Sequence, residues 1–293
     1  MKLKYGSIKF SPFQFPMWLF RSLITKYMFF DYPGISFQKD GRKSFRHLDG
    51  YQTKLEKYYN KHKGQRCFLL GNGPSLRQMD LSNLKNEIII GANGIYKEFD
   101  NLGFKTNYLF FEDTEQTFLR RKDINSLTEI TKLVGLNNAY YIKRSTDTVF
   151  FNPRHGFDLE GSPKFSREFA SGVFLGATIS YIMLQWAYFL GFSEVYVLGI
   201  DHNYGELPKL FPPGKIEITE QNIHKVRGLH FSDHYYKIGD VIGVPHVDIQ
   251  NKAYEKANEV FQSTGRKVYN AGVNSKLEAF EKIEFNSLFT NKT

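Results

Sequence analysis

Short apolar runs without polar alternation dominate the chain after residue 64. Ile88-Ile89-Ile90 and Val195-Tyr196-Val197-Leu198 contain no polar side chain apart from the tyrosine hydroxyl, as expected for strands that are covered on both faces of a parallel sheet. Longer stretches with apolar residues at three- and four-residue spacing alternate with these runs and predict helices. The pattern predicts an α/β fold of Rossmann-like type, in which a mostly parallel sheet is flanked by helices.

Six strands and two long helices follow from these periodicities. The predicted strands are Cys67–Leu70, Glu87–Gly91, Asn107–Phe111, Ala139–Lys143, Glu194–Gly199 and Arg266–Asn270. The predicted helices cover about residues 172–190 and 249–264. Region 205–245 contains many glycines and prolines with little periodicity, and its length is typical of a lid or a binding loop.

The positive charge of the chain is concentrated before residue 64. Residues 1–63 contain thirteen Lys and Arg residues against four Asp and Glu residues, which accounts for the whole net charge of +9. Several aromatic residues lie among them, including Phe13, Phe15, Trp18, Phe20, Phe29 and Phe30. We therefore divide the chain into a basic aromatic N-terminal segment, 1–63, and a Rossmann-type domain, 64–293.

Three interpretations of the N-terminal segment stay open. Basic and aromatic residues together favour a peripheral position at an anionic membrane surface. Alternatively, the aromatic residues pack on the core while the lysines face solvent. A nucleic-acid arm would use the same residue types, but the rest of the chain has no basic excess, so no nucleic-acid partner is expected.

The composition also bears on where the protein works. Prolines and basic residues interrupt the apolar stretch at 11–30, which argues against a secretory signal and against a membrane-spanning helix. The single cysteine, Cys67, cannot form an internal disulfide and is typical of a reducing compartment. The expected location is the cytoplasm, including the inner face of the cytoplasmic membrane.

The first predicted strand ends in Gly71-Asn72-Gly73-Pro74-Ser75. Glycine accepts backbone angles that other residues avoid, so such a loop can approach a ligand closely. Pro74 followed by Ser75 predicts the start of a helix, whose free N–H groups favour a phosphate. An ordinary strand-to-helix turn would contain the same residues, so the function of this loop has to be judged together with the ends of the other strands.

Polar and small residues also follow three other predicted strands. Their sequences are Gly91-Ala92-Asn93-Gly94, Glu112-Asp113-Thr114 and Gly199-Ile200-Asp201-His202-Asn203-Tyr204. Ser171-Gly172 opens the helix predicted at 172 and offers another phosphate contact. Because ligands of open parallel sheets bind beyond the carboxyl ends of the strands, these endings predict one polar site of nucleotide size.

The side chains at these strand ends suit a nucleotide in two ways. The amides of Asn72 and Asn93 can bind ribose hydroxyls or a base edge, although asparagine beside glycine is also common in turns. Glu112, Asp113 and Asp201 offer the hard oxygen ligands that Mg²⁺ takes together with phosphates. The alternative for these carboxylates is helix capping or an ion pair, so Mg²⁺ is a cofactor that the sequence allows without requiring.

Four histidines fall between residues 202 and 246: His202, His230, His234 and His246. Histidine titrates near neutral pH and suits the deprotonation of a hydroxyl acceptor. The sequence contains no Ser-His-Asp signature and no zinc-spaced set of Cys and His. It also lacks the Gly-x-x-x-x-Gly-Lys motif, which disfavours an ordinary P-loop kinase.

The order of these motifs resembles that of bacterial proteins built on the MptE-like domain. That domain carries the name of an archaeal 6-hydroxymethylpterin diphosphokinase, and its bacterial members often lie in surface-polysaccharide loci. The resemblance covers about residues 66 to 288 and is carried by GNGPSL, GANGIY, NYLFFED, SG, VYVLGIDHNY and KVYNAGVNSKLEAF. The same order is similar to that of bacterial lipooligosaccharide sialyltransferases, which use CMP-sialic acid on a Rossmann-like fold without a metal.

The similarity to sialyltransferases implies a set of nucleotide-binding residues: Gly71, Asn72, Gly73, Ser75, Asn93, Ser171, Gly172, Asp201 and Tyr204. It also implies a histidine base upstream of the last helix, for which His246 is the first choice and His230 the second. The pair Glu112-Asp113 departs from the sialyltransferase pattern, which has an asparagine after the third strand, and fits the metal site of a diphosphokinase better. Conversely, the basic aromatic segment suits an enzyme that acts on a lipid-linked glycan.

The sequence leaves three functional hypotheses. The first is a glycosyltransferase of cell-surface polysaccharide synthesis that transfers sugar from a nucleotide-activated donor, such as a CMP-linked nonulosonic acid, to a glycan acceptor. The second is a Mg²⁺-dependent diphosphokinase of the 6-hydroxymethylpterin type. The third is a non-catalytic nucleotide-binding module.

Overall fold

The computed structural model describes residues 51–290 apart from 140, 160, 205–213, 227, 229 and 232–235, together with four short strands before residue 45. Those four strands form two antiparallel pairs, Leu3–Tyr5 with Ile8–Phe10 and Ser36–Phe37 with Lys43–Ser44. Most of the basic aromatic segment therefore lies outside the described residues, and the three interpretations of it stay predictions.

An eight-stranded parallel sheet forms the centre of the domain. Its strands are β1 (Arg66–Leu70), β2 (Ile89–Ala92), β3 (Tyr108–Phe111), β4 (Thr131–Gly135), β5 (Thr148–Phe151), β6 (Glu194–Leu198), β7 (Lys267–Asn270) and β8 (Glu281–Lys282). The order across the sheet is β8-β7-β6-β1-β2-β3-β4-β5, and every neighbouring pair is parallel. The predicted Rossmann-like, mostly parallel sheet is confirmed.

Helices connect the strands and flank the sheet. They are α1 (Tyr51–Glu56), α2 (Phe99–Leu102), α3 (Thr114–Leu119), α4 (Arg121–Ser126), α5 (Ile179–Leu190), α6 (Ile223–Val226) and α7 (Val247–Gln262), with 3₁₀ turns at Pro74–Gln78, Ser82–Asn86, Asn93–Glu98, Leu136–Asn138, Phe169–Ser171 and Asn286–Leu288. In the part of the chain that the structure describes, no helix combines the length and apolarity needed to cross a bilayer.

Two small strand pairs lie outside the central sheet. Pro153–Arg154 pairs in parallel with Val173–Phe174, and Gly214–Glu217 pairs antiparallel with Val241–Val244. The second pair and α6 enclose a small apolar cluster of their own, which consists of Ile218, Val226 and Ile242. The described residues within 214–244 thus form a small unit, which we call the cover, beside the central sheet.

Five of the six predicted strands are present with ends shifted by at most two residues, but the strand predicted at Ala139–Lys143 is wrong. Two strands that the periodicity missed, β4 and β5, lie on either side of it. Asn137 and Asn138 explain the difference, because both side-chain amides donate to the carbonyl of Glu112, at 3.1 and 2.7 Å. These bonds form a turn directly after β4 in spite of the apolar residues beyond it.

Helix α5 begins later than the sequence predicted and is buried on all sides. Gly176 and Ala177 both have positive φ, 54° and 57°, so the chain cannot be helical there, and Thr178 caps the helix instead. Every residue of α5 except Ile179 is buried. Trp186, at its middle, packs edge-on against Phe169 with ring centroids 4.8 Å apart.

The amide of Gln185 fixes the preceding segment to α5. Its oxygen accepts from the backbone N–H groups of Ser166 and Phe174, and its nitrogen donates to the carbonyls of Phe174 and Tyr181. A fully buried amide is stable only when its donors and acceptors are satisfied in this way. The segment 166–174 is therefore held along the flank of the helix.

Residues 51–63, which the sequence analysis grouped with the N-terminal segment, pack on the core. Leu55 of α1 is fully buried, and the N–H groups of Asn60 and His62 donate to carbonyls at the end of α5. His62 also stacks on Phe192 and lies 2.7 Å from the hydroxyl of Tyr108. These contacts join residues 51–63 to the body of the domain.

The ends of β1 and β6 approach each other so closely that only glycine fits between them. Gly71 donates its N–H to Leu198, and Gly73 donates to Gly199, each at 2.8 Å. A Cβ atom at Gly71 would overlap the carbonyl of Gly199, and one at Gly73 would lie 2.6 Å from the carboxylate carbon of Asp201. The glycines of the GNGPS motif are therefore required by backbone packing, whatever else they do.

We expect Gly71→Ala to lower the free energy of unfolding by about 1–3 kcal/mol, since the added methyl group overpacks the junction of β1 and β6. Urea unfolding followed by circular dichroism measures this. Gly243→Ala is the matched control, because a Cβ there meets no atom within 4 Å. Equal stability of the two variants would contradict this account of the junction.

Candidate functional site

The order of the strands reverses at β1, which has β2 on one side and β6 on the other. The loops that leave β1 and β6 therefore diverge, and open parallel sheets bind ligands in the crevice formed there. A cavity of about 640 Å³ lies at this place. Its walls come from the residues after β1, β2, β3 and β6, and from the cover and the first turns of α5 and α7.

The structure brings together most of the residues that the sequence singled out. The cavity is lined by Gly71, Asn72, Gly73, Asn93, Glu112, Asp113, Asp201, Tyr204, His230 and His246. Ser75, Ser171 and Gly172 lie outside this lining. What each of these residues does toward a ligand stays a prediction.

The loop after β1 is braced on both sides of the crevice. The amide of Asn72 donates to the carbonyl of Ala92, at the end of β2, at 3.1 Å. The carbonyl of Asn72 accepts from the N–H of Phe231 in the cover, at 2.6 Å. Pro74 starts a five-residue 3₁₀ turn, not the α-helix that the sequence predicted, so the loop has no α-helical N-terminus to offer a phosphate.

Asp201 holds this loop from the β6 side. One oxygen of its carboxylate accepts from the backbone N–H of Ser75 at 2.9 Å, and the other accepts from the Ser75 hydroxyl. Ser75 is 4% exposed and lies outside the cavity lining. Both residues were predicted to contact the nucleotide, and their geometry shows that they bind each other.

Ser171 and Gly172 do not open a helix, so their predicted role at a helix N-terminus is wrong. Arg154 donates to the carbonyl of Ser171, and α5 begins at Ile179. The cavity is lined instead by residues 175–180, and the N-terminus of α5 faces it. Thr178 before the apolar sequence Ile-Ser-Tyr-Ile-Met-Leu is a recognisable N-cap signal that would have found this turn.

Glu112, Asp113 and Asp201, the predicted metal ligands, all line the cavity, and two of them already have hydrogen-bond partners. Asp113 caps α3 by accepting from the N–H of Gln116 at 2.8 Å, and the Asp201 carboxylate is bound to Ser75. Among the residues that the structure describes, no three His, Cys, Asp or Glu side chains are grouped as metal ligands. The capping alternative applies to Asp113, and the binding of Mg²⁺ at these residues together with a nucleotide stays a prediction.

Four histidines line the cavity: His155, His202, His230 and His246. His246 is exposed and occupies the N-cap position of α7 without a side-chain capping bond. His230 lies in the cover, with Nε2 3.4 Å from the hydroxyl of Tyr236. His234 lies outside the described residues.

Two of these histidines are held neutral by burial. The pKa of His230 falls to about 4, because burial disfavours the charged ring and the positive charge of Arg120 adds to this. Burial also lowers the pKa of His202, whose Nε2 lies 2.6 Å from the side-chain oxygen of Asn251. A neutral imidazole can accept a proton, but one with a pKa near 4 is a weak base at neutral pH.

The low pKa of His230 makes stability depend on pH. Between pH 6.5 and pH 4 the unfolded chain binds a proton at this residue that the folded protein does not, so acidification lowers the free energy of unfolding. Between pH 7 and pH 4.5 the free energy of unfolding should fall by about 2 kcal/mol less in His230→Gln than in the wild type. Parallel urea titrations measure it, and identical pH profiles would contradict it.

Two solved structures resemble the chain. A structure of the Maf glycosyltransferase from Magnetospirillum magneticum AMB-1 aligns with a TM-score of 0.46 at 13% identity, covering 95% of this chain and 43% of that chain. The sialyltransferase CstII from Campylobacter jejuni, in complex with a substrate analogue, cytidine-5′-monophosphate, aligns with a TM-score of 0.40 at 17% identity, covering 75% of this chain and 85% of that chain. This chain thus spans less than half the length of the Maf glycosyltransferase chain.

No curated protein matches the sequence significantly. A family model described as 6-hydroxymethylpterin diphosphokinase MptE-like matches residues 44–206. The match includes the GNGPS loop, the ends of β2 and β3, the turn before α5 and the start of the loop after β6. Because it covers more than half of the 293 residues, the chain belongs to the MptE-like family.

Proposed function

We propose that this protein is a nucleotide-dependent transferase, specifically a glycosyltransferase of cell-surface polysaccharide synthesis that uses a nucleotide-activated sugar. The observation that carries the proposal is the meeting of loops from four strands at one cavity of about 640 Å³, where the strand order reverses. Cavities that enclose small molecules usually measure about 300–1,000 Å³. The space is sufficient for a nucleotide and an attached sugar.

Under this proposal the nucleoside lies against the loops after β1 and β2. Asn93 lines the cavity with its backbone in a left-handed conformation, φ 53°, and its amide is available for a ribose hydroxyl or a base edge. Gly71 and Gly73 also line the cavity, and their packing against Gly199 and Asp201 fixes the backbone that would face the ligand. Asp201 and Ser75 contribute indirectly by fixing this loop.

The phosphate of the donor would lie at the N-terminus of α5. Ala177, Thr178, Ile179 and Ser180 line the cavity, and the first N–H groups of a helix are partially positive and favour an anion. Because α5 is twelve residues long and buried, this end of the helix is fixed before the ligand arrives. N–H groups that are already fixed in place stabilise the negative charge that develops on a leaving phosphate most effectively.

The transfer itself needs one proton acceptor. The acceptor hydroxyl gives its proton to a histidine while its oxygen bonds to the anomeric carbon of the sugar. The bond between that carbon and the phosphate oxygen breaks through an oxocarbenium-like state, and the nucleotide leaves with the electron pair. His246, exposed at the edge of the cavity, is the first candidate base. His230 is the second, since its low pKa makes it weaker.

The donor and the setting of the reaction are inferred from the order of the sequence motifs. That order favours a CMP-linked nonulosonic acid as donor and a glycan as acceptor. The basic aromatic segment 1–63 would keep the enzyme peripherally at the inner face of the cytoplasmic membrane, where lipid-linked acceptors are made. Both points are proposals that rest on the sequence.

The description of the family favours a second candidate, a Mg²⁺-dependent diphosphokinase of the 6-hydroxymethylpterin type. That reaction would use the same cavity with ATP. Two of the three side chains predicted to hold the metal, Asp201 and Asp113, accept hydrogen bonds here, so a metal ion would compete with these contacts. A non-catalytic nucleotide-binding module is the third candidate.

We expect CMP to raise the unfolding temperature without a metal, in a thermal-shift series of CMP, CDP, UDP, GDP and ATP, each with and without Mg²⁺. A ligand at a hundred times its dissociation constant stabilises by about 2.7 kcal/mol. Cytidine is the matched ligand control, because it lacks the phosphate that α5 would bind. Stabilisation only by ATP with Mg²⁺ would favour the diphosphokinase, and no stabilisation by any of the five would contradict the proposal.

A charge placed beside the α5 N-terminus tests the phosphate position within the same series. Ala177 is exposed, lines the cavity and has a positive φ, a conformation that Asp and Asn tolerate better than Ala. Ala177→Asp should weaken CMP binding by repulsion, and its neutral counterpart Ala177→Asn should not. Equal CMP affinity of both variants would place the phosphate elsewhere.

We expect His246→Ala to reduce transfer by about 10²–10⁴-fold, the usual contribution of a general base, while CMP affinity stays close to that of the wild type. Release of CMP from a CMP-sugar in the presence of acceptor measures transfer. His224→Ala is the control, because this exposed histidine of α6 lies outside the cavity lining. Unchanged transfer in the double variant His246→Ala/His230→Ala would rule out both histidines.

A further inference from the structure

Gln250 of α7 bridges two loops that border the cavity. It is 4% exposed. Its side-chain oxygen accepts from the hydroxyl of Tyr204 at 2.5 Å, and its side-chain nitrogen donates to the carbonyl of Ala177 at 3.0 Å. Tyr204 belongs to the loop after β6, and Ala177 belongs to the turn before α5. One buried amide thus connects the two elements that flank the proposed phosphate position.

The turn that Gln250 holds is conformationally unfavourable. Gly176 and Ala177 adopt left-handed angles in succession, with φ of 54° and 57°, and for alanine this conformation costs free energy. Such a backbone persists only where its surroundings hold it. The hydrogen bond from Gln250 to the Ala177 carbonyl, and the N-cap contact of Thr178 with Ser180, supply such support.

The loop after β6 depends on the same part of α7. Tyr204 donates to Gln250, and His202 contacts the neighbouring Asn251 through its Nε2 at 2.6 Å. Gln250 also donates its backbone N–H to the carbonyl of His246, one helical turn earlier. The first turns of α7 therefore join the loop after β6, the turn before α5 and the candidate base in one rigid arrangement.

We infer that Gln250 is a positioning residue, which holds the Gly176–Ala177 turn and the Tyr204 loop in the arrangement that binds the phosphate of the nucleotide. Gln250 also lines the cavity, but both polar atoms of its amide are bound to these partners, so it acts through Ala177 and Tyr204. The inference rests on the proposed function for the identity of the ligand. Its structural part, the joint positioning of the two loops by one amide, stands on the contacts alone.

The first experiment measures amide hydrogen exchange in the full chain without ligand. Gln250→Met keeps the size of the side chain but removes both hydrogen bonds, and should increase exchange at both 175–178 and 199–204. Gln262→Met on the same helix is the matched control, because Gln262 is exposed and contacts only Asn258 among the side-chain bonds of the described residues. Unchanged exchange in Gln250→Met would overturn the inference, whether or not any nucleotide binds.

The second experiment measures CMP affinity by calorimetry at a temperature where all variants are folded. If Gln250→Met populates the loop conformation that binds CMP a tenth as often as the wild type, its apparent dissociation constant for CMP rises about tenfold. Tyr204→Phe removes one of the two bonds and should weaken CMP binding less. The double variant should bind no worse than Gln250→Met, because both substitutions remove the same contact.

The outcomes separate the two proposals. Wild-type protein that binds none of the nucleotides overturns the proposed function, and the exchange data then still test the bridge. Wild-type protein that binds CMP while Gln250→Met binds it equally well overturns the positioning role. Loss of affinity in Gln262→Met as well would show a general effect of α7 and would also overturn it.

Discussion

The close approach of β1 and β6 is the constraint on which the candidate site depends. The two strands pair over their whole length, and at their carboxyl ends Gly71 and Gly73 donate to backbone carbonyls across the junction. No side chain fits at Gly71, so the loops can separate only beyond it. The cavity opens at that point of separation, and Asp201 and the Asn72 amide then fix the shape of the loop that borders it.

Much of the fold could be predicted from the sequence, because the runs that form β1, β2, β3 and β6 are almost entirely apolar and buried. The strand predicted at Ala139–Lys143 does not form, because of a contact between distant parts of the chain that a local sequence pattern cannot show. At its start, Asn137 and Asn138 form a turn by donating to the Glu112 carbonyl, which is 25 and 26 residues away along the chain. The late start of α5 has a local cause, the left-handed backbone of Gly176 and Ala177. Glycine often adopts this conformation and alanine rarely does, so only the first of the two residues is recognisable in the sequence.

The candidate site was predictable in its position and less so in its chemistry. Strand ends of a parallel sheet meet at one edge, so the meeting of Asn72, Asn93, Asp113 and Asp201 followed from topology. Whether a carboxylate faces a ligand or a neighbour depends on contacts across the fold, and Asp201 and Asp113 proved to bind Ser75 and a helix N-terminus. Gln250 lies inside an amphipathic helix, where nothing in the sequence distinguishes a bridging amide from an ordinary polar residue.

The small apolar cluster of the cover has a consequence for its local stability. Only three buried side chains, Ile218, Val226 and Ile242, form that cluster among the described residues, whereas α5 and the sheet share the large core. Regions with few buried contacts undergo sub-global opening at a fraction of the free energy of complete unfolding. We therefore expect the described residues of the cover to open at a lower free energy than α5 and the central sheet, which stay folded meanwhile.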